Sequence, residues 1–454
     1  MLMTTETIDS WDRVRDLLNQ GASPDVIETY LEALEPGDLV RTVFRLNPNE
    51  QRALLRAVSP DKAAELIEDM PDAHAADLID DMPATAAAAI VEEMASDHRA
   101  DILGEMDKQE SDAILEHLED EDAEEARRLI NYPADTAGGL MMTEFAVYPP
   151  TATVRSVVED LTGREGDYTF LTVHYIYVAT KRNRLKGVLR LRDMVFADPD
   201  ARIGAIAQPA IAVGPDASLG ELDAFFHEND IAAVPVMDER GFLLGIVRRR
   251  ALLEALAGKA ESDSLKSAGI VGGEELRSMP VTLRARRRLG WLSVNIVLNI
   301  IAASVIAMYQ DTLSAVIALA VFLPIVSDMS GCSGNQAVAV SMRELTLGAI
   351  VPADLFRVWR KEVSVGLING LVLGSLLAIA AWAWKGKPML GLVVGSALAI
   401  NTIVAVSLGG TIPLALKQLR IDPAVASGPV LTTVTDMCGF FLVLSLASLA
   451  LPLL

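Results

Sequence analysis

Gly428-Pro-Val-Leu-Thr-Thr-Val-Thr-Asp436-Met-Cys-Gly-Phe-Phe441 opens the last stretch of the chain, which then runs apolar to Leu454. A bilayer span takes about 20 predominantly apolar residues, and this stretch is long enough. It holds one carboxylate, Asp436. A charge at the bilayer centre costs ~2.5–3.5 kcal/mol on insertion scales. No Lys or Arg follows Arg420, so the segment offers Asp436 no ion-pair partner of its own. A carboxylate so placed faces a cation or a proton arriving from solution. The plainer alternative is a protonated side chain hydrogen-bonded to a neighbouring helix.

Working back from this stretch, the chain from residue 284 onward reads as five spans. They cover 291–309, 312 to about 340, 363–384, 389–416 and 429–454. Ten of the twelve bases in this part lie before the first span (Arg284, Arg286, Arg287, Arg288), between the second and third, or between the fourth and fifth. Lys385 and Lys387 alone lie on the other side. The positive-inside rule then places the N-terminus inside and the C-terminus outside. Tyr309, Trp382 and Trp384 suit an outer aromatic belt. The second span contains Leu323-Pro-Ile-Val-Ser-Asp-Met-Ser-Gly-Cys-Ser-Gly-Asn-Gln336. Its proline, glycines and polar groups predict a helix broken in its middle, tolerated at membrane depth only where it lines a cavity or packs in protein. Asp328 adds a second carboxylate, and Asn335 and Gln336 offer carbonyls to a hydrated ion; interhelical hydrogen bonding is their alternative role.

The 454-residue chain has a net charge of −22. From Arg284 on there are 7 acids and 12 bases, which leaves 54 acids and 27 bases before it. So acidic a soluble part argues against nucleic acid and suits metal cations or a screened regulatory surface. Cys332 and Cys438 both fall in apolar segments and make no disulfide framework. The N-terminus lacks a basic-then-apolar signal pattern, so the leading part is expected to stay in the cytoplasm.

Within that part, Met70, Met82, Met94, Met106 and Leu118 lie twelve residues apart. The units read Ala63-Ala-Glu-Leu-Ile-Glu-Asp-Met-Pro and Ala75-Ala-Asp-Leu-Ile-Asp-Asp-Met-Pro, then looser copies. Each is about two helical turns with one apolar face, which stacking must bury, so residues 1–135 predict a short α-solenoid. Residues 136–256 carry a second repeat. Tyr175-Ile-Tyr-Val-Ala returns as Ala233-Val-Pro-Val-Met, and Gly187 matches Gly245, a constant shift of 58 residues. Each copy reads strand, turn, strand, helix, with a helix before it at 154–162 and 219–228. This duplication resembles a pair of CBS (cystathionine-β-synthase-type) domains. The resemblance implies an adenine nucleotide such as ATP in the cleft, with Asp193 on the ribose and Arg192 on a phosphate. Ala251 stands at the matching place in the second copy, so one nucleotide site at most is intact. The plainer role for Asp193 is to cap the helix that follows it. Residues 257–283 predict a connecting helix that transmits motion to the membrane part.

Solenoid, CBS pair, connector and five spans, in that order, resemble the MgtE family of magnesium channels over nearly the whole chain. The motifs that carry it are Tyr132-Pro-Ala-Asp-Thr-Ala-Gly-Gly-Leu-Met, Arg184-Leu-Lys-Gly-Val-Leu, Leu191-Arg-Asp, Glu362-Val-Ser-Val-Gly-Leu, Ile421-Asp-Pro-Ala-Val and the surroundings of Asp436. The resemblance implies a homodimer in the inner membrane, with Asp436 from both subunits holding a permeating Mg²⁺ through its water shell. Thr432, one turn earlier on the same face, would supply a carbonyl or hydroxyl. It further implies sensing of cytoplasmic Mg²⁺ by acids of the second CBS copy and connector, here Asp230, Glu254 and Asp263. The chain departs from the family there. Ser218, Gly220, Ala251 and Lys259 occupy usual acidic positions, and Arg248-Arg-Arg is new. Cys332 and Gly428 also replace asparagines usual in the family. Fewer carboxylates and added guanidinium charge predict weaker or rewired Mg²⁺-dependent closure, with Arg–carboxylate pairs in place of metal bridges.

Two other functions compete. One is a carrier or exchanger for another divalent cation, since a thiolate from Cys332 beside Asp328 would favour softer metals. The other is a membrane-anchored nucleotide sensor, which would have no need of Asp436. An enzyme is not expected: the five histidines form no ligand or acid–base spacing, and no nucleophile motif occurs.

Overall fold

The structure, a computed structural model, describes residues 9–68, 70–163, 174–180, 183–267, 269–270, 281–346 and 348–453. The connector residues Gly272, Gly273 and Pro280 lie outside the described residues. Residues up to Lys259 form one compact unit, and the described chain from Ala260 onward a second.

The first unit begins with ten short helices: α1 (Ser10–Asn19), α2 (Pro24–Glu32), α3 (Pro36–Arg45), α4 (Pro48–Ala57), α5 (Pro60–Glu68), α6 (Asp72–Asp80), α7 (Ala84–Glu92), α8 (Ser96–Glu105), α9 (Lys108–Leu115) and α10 (Asp120–Leu129). Four of them, α2 to α5, start on proline, whose fixed φ and missing N–H suit the first helical position. Helices two apart pack together, α5 on α7, α6 on α8 and α7 on α9, so each apolar face is covered by the next layer. The twelve-residue period survives in the packing. Ala63, Ala75 and Ala87 are fully buried, and Met70, Met82 and Met94 nearly so.

The duplicated module follows. Strands β1 (Val147–Tyr148), β2 (Tyr175–Ala179) and β3 (Leu185–Arg190) form one sheet, with β1 parallel to β2 and β2 antiparallel to β3. Helices α11 (Val154–Gly163), α12 (Leu191–Val195) and α13 (Ile203–Ile206) pack against it, while α14 (Leu219–Glu228) packs in the core of the second copy. Strands β4 (Ala233–Met237) and β5 (Leu243–Arg248) pair antiparallel, and α15 (Arg249–Ser267) starts directly after β5. The 58-residue shift holds in the register. Ile176 faces Leu189 as Val234 faces Val247, and both ladders slip at the same step, after Val178 and after Val236. The hairpin turns take a left-handed residue at equivalent places, Asn183 (φ 58°) and Gly241 (φ 83°). Ala100 of α8 and Leu129 of α10 join the core of the second copy, so the end of the helical array packs on it.

The second unit holds α16 (Val281–Met308), α17 (Gln310–Ala315), α18 (Leu319–Thr346), α19 (Leu355–Lys385), α20 (Pro388–Gln418) and α21 (Pro423–Leu449). Among the described residues four helical segments are long and apolar enough to cross a membrane: Arg284–Met308, Pro352–Lys385, Pro388–Gln418 and Ser427–Leu449. α20 is the central one, packed by α18, α19 and α21. α19 reaches it along Gly366, Gly370 and Gly374, where a Cβ on Gly370 would stand 2.5 Å from the Ala399 carbonyl oxygen. Small residues give membrane helices this close approach.

The expected break in the middle of the second span is absent. The chain breaks earlier, between α17 and α18, and 319–346 is one helix through Ser330-Gly-Cys-Ser-Gly-Asn-Gln. The reason is packing. A Cβ on Gly409 would lie 2.2 Å from the Gly334 carbonyl oxygen, and one on Gly334 3.0 Å from that of Ala405. The glycines admit α20. The Ser330 and Ser333 hydroxyls turn back onto the carbonyls of Val326 and Met329, one turn earlier on the helix.

Candidate ion site in the helix bundle

Four residues of α18, Asp328, Gly331, Cys332 and Asn335, fall at i, i+3, i+4 and i+7 and so share one face. Thr432, Asp436 and Phe440 of α21 repeat at four-residue spacing. The two faces meet around a cavity of about 660 Å³, also lined by Ile306, Leu323 and Ser327. Among the described residues its lining includes no Lys, Arg or His. The Ser327 hydroxyl donates to Asp436 Oδ1, so the partner of this carboxylate is a neutral hydroxyl, not a base. Asp436 is half-buried, while Asp328, Cys332, Asn335 and Thr432 are exposed on the single chain.

Of the residues nominated for ion binding, Asp436, Thr432, Asp328 and Asn335 therefore share one cavity. Gln336 does not line it; one residue further on, it turns about 100° away from Asn335 and is exposed. Cys332, read from the sequence as lying beside Asp328, lines the cavity with it. Ser327 carried no such signal, because its role depends on how α21 is rotated against α18.

Behind the cavity lies a buried polar cluster. Asn401 of α20, fully buried, donates from Nδ2 to Ser330 Oγ (2.5 Å) and to the Thr435 carbonyl oxygen (3.0 Å). Ser330 and Thr435 are themselves fully buried.

In the first unit a cavity of about 470 Å³ is lined by Glu144, His174, Tyr175, Tyr177, Arg248, Arg249 and Arg250 among others. Arg192 and Asp193 do not line it. Asp193 sits inside α12, whose N-cap is Arg190, so it does not cap that helix, and it lies 3.7 Å from Arg192 Nε. The three consecutive arginines each meet a carboxylate. Arg248 pairs with Asp97 of α8 at 2.9 Å, Arg249 approaches Asp230 at 3.9 Å, and Arg250 pairs with Glu254 at 2.7 Å. Two of the three acids nominated as regulatory, Asp230 and Glu254, thus face guanidinium groups; Asp263 lies on α15. Beside the Arg248 pair, Ser96 donates from both its N–H (2.8 Å) and its hydroxyl (2.7 Å) to Glu144, which caps the start of α8 from the α/β module. Carboxylates crowd around α8. Burial, then Asp72, Asp97 and Glu105, push the Asp101 carboxyl up to about 8. Burial also raises Asp72 and Glu68. Also beside α8, carboxylate oxygens of Glu92, Glu119 and Asp122 come within 4.8 Å of one another, with Arg99 of α8 on Asp122 at 2.6 Å.

Comparison with known proteins agrees with this architecture. Residues 34–135 match the family described as MgtE intracellular N domain, 203–258 the CBS domain, and 323–446 the family described as Divalent cation transporter. The chain is 35% identical over 331 residues to the magnesium transporter MgtE of Thermus thermophilus, covering 72% of each. It is 30% identical over 337 residues to the protein of that name from Bacillus subtilis, covering 74% of each. A crystal structure described as the soluble part of a magnesium transporter is matched over its full length and 56% of this chain, with 27% identity and a TM-score of 0.50. The likenesses thus reach the helical array, the α/β module and the apolar helices alike. The chain is a multi-pass membrane protein with a large cytoplasmic N-terminal part, and it belongs to the MgtE family of magnesium transporters.

Proposed function

We propose that the protein carries Mg²⁺ across the cytoplasmic membrane as a homodimeric channel regulated by its cytoplasmic domains. One observation carries this reading: α18 and α21 turn two carboxylates, an amide and two hydroxyls toward one cavity whose lining, among the described residues, holds no base. Polar groups exposed on a bundle at membrane depth must be covered by water, an ion or a partner chain. A second copy across a two-fold axis supplies that cover and doubles the carboxylates. Mg²⁺ dehydrates reluctantly and prefers octahedral oxygen, so Asp436 would accept hydrogen bonds from its water shell, with Thr432, Asp328 and Asn335 lining the path. α18 then counts as a fifth span, with the N-terminus inside and the C-terminus outside. The division into an N domain (1–135), a CBS pair (136–256), a connecting helix (257–283) and a pore domain (284–454) belongs to the same reading, as does an adenine nucleotide in the α/β module. No catalysis is part of it. Growth rescue of a Mg²⁺-uptake-deficient bacterium by the wild type, but not by Asp436→Ala, tests it. Rescue by both would sink it.

Regulation differs from a purely metal-bridged arrangement. Arg248, Arg249 and Arg250 stand against carboxylates that a divalent ion would otherwise gather. The cytoplasmic part therefore closes with less Mg²⁺ than an acidic surface would require. A second reading, transport of a softer divalent cation, is favoured by one observation, the Cys332 thiol in the cavity wall.

A further inference from the structure

Asn401 contributes nothing to the cavity lining, yet it touches both walls from behind. Its two amide protons go to α18 through Ser330 Oγ and to α21 through the Thr435 carbonyl. Ser330 is one turn beyond Ser327, the hydroxyl that holds Asp436, and Thr435 is the residue directly before Asp436. The amide therefore ties down both flanks of the Ser327–Asp436 contact that orients the carboxylate. Its orientation is unambiguous. The Thr435 carbonyl requires a donor, and the Ser330 hydroxyl already gives its own proton to Val326 O. This leaves Asn401 Oδ1 fully buried with no hydrogen-bond partner among the described residues. A buried orphan acceptor destabilises a fold, so a residue kept only for packing would be better as leucine. The neighbouring helix is shaped to admit the amide. A Cβ on Gly439, one turn after Thr435, would stand 2.8 Å from Asn401 Nδ2.

We propose that Asn401 is a positioning residue for transport: it sets the rotation and depth of Asp436 by bridging α18 to α21, at a cost to stability. The inference rests on Asp436 being the ion site. A site held loosely by its supporting groups loses affinity before it loses its fold.

The test is Mg²⁺ uptake by the purified full-length protein in proteoliposomes, with thermal unfolding measured on the same preparations. Asn401→Leu keeps the volume and removes both donors and the orphan acceptor. Its half-saturating Mg²⁺ concentration should rise at least tenfold, while its unfolding midpoint stays level or increases. Gly439→Ala, which pushes the amide aside without altering it, should raise half-saturation in the same way. The double variant Asn401→Ala with Gly439→Ala refills the space without restoring donors, so it should remain impaired. Unchanged half-saturation in Asn401→Leu, or recovery in the double variant, overturns the inference, since packing alone would then explain the residue. Asp436→Asn is run alongside. If it still transports, the ion-site reading itself fails; if it is dead while Asn401→Leu is normal, only the positioning role does.

Discussion

Replacing Arg248 by alanine removes the cation that joins the helical array to the second CBS copy. The pair is short, 2.9 Å, and its carboxylate, Asp97, is 8% exposed against 34% for the arginine side chain. Breaking a fully buried pair costs about 3–5 kcal/mol and an exposed one 0–1, so this half-buried case should cost about 2 kcal/mol. That is about a thirtyfold loss in the equilibrium for docking the array. The burden falls on Asp97, left uncompensated beside Asp101 and Glu68. A divalent cation can take the vacated place, so docking in Arg248→Ala should become Mg²⁺-dependent. Chymotryptic cleavage of the full-length protein, followed while Mg²⁺ is titrated from zero, reads this directly. The wild type should resist cleavage with little or no Mg²⁺. Arg248→Ala should need millimolar Mg²⁺ for the same protection, and Asp97→Asn in that background should lower the requirement again. A wild type that requires as much Mg²⁺ as Arg248→Ala would refute the claim that arginine stands in for metal.

Three further outcomes follow from the geometry. Cys332→Ser should abolish any block of Mg²⁺ uptake by Cd²⁺, because Asp328 and Cys332 at i and i+4 present a carboxylate and a thiol to the same cavity; Cys438→Ser, outside that lining, should leave the block intact. Gly370→Ala sets a Cβ against the Ala399 carbonyl and should destabilise the α19–α20 pair by about 1–3 kcal/mol, seen as a lower unfolding midpoint in detergent. Asp101 titrates near 8 in the folded array against an ordinary value of 3.8. A carboxyl raised on folding stabilises the fold below its unfolded value, and that contribution is lost as pH rises toward 8. Unfolding midpoints should therefore fall between pH 5 and pH 8, and Asp101→Asn should flatten that slope.

Much of this arrangement was legible in one dimension because it rests on periodicity. The twelve-residue repeat reappears as Ala63, Ala75 and Ala87 buried in register, and the 58-residue shift as matching strand pairs and matching turn residues. Spacing also put Asp436 with Thr432 on a single helix face. It misled at 330–336, where glycines and serines read as a broken helix. Glycine marks close approach as well as irregular backbone, and only the neighbouring helix says which; here α20 fills the space through Gly409. The nucleotide residues show the same limit. Arg192 and Asp193 were implied by the family resemblance, and neither lines the cavity beside Arg248.

Hydrophobic run length, charge asymmetry and repeat spacing by themselves determined the order of parts and the lone carboxylate of the last span, since these properties belong to short stretches of chain. Tertiary structure alone decided that Ser327 is the partner of Asp436, that Asn401 grips both walls from behind, and that Arg248 meets Asp97 across 151 residues. Those pairings depend on the rotation and depth of one packed helix against another, which no local pattern encodes.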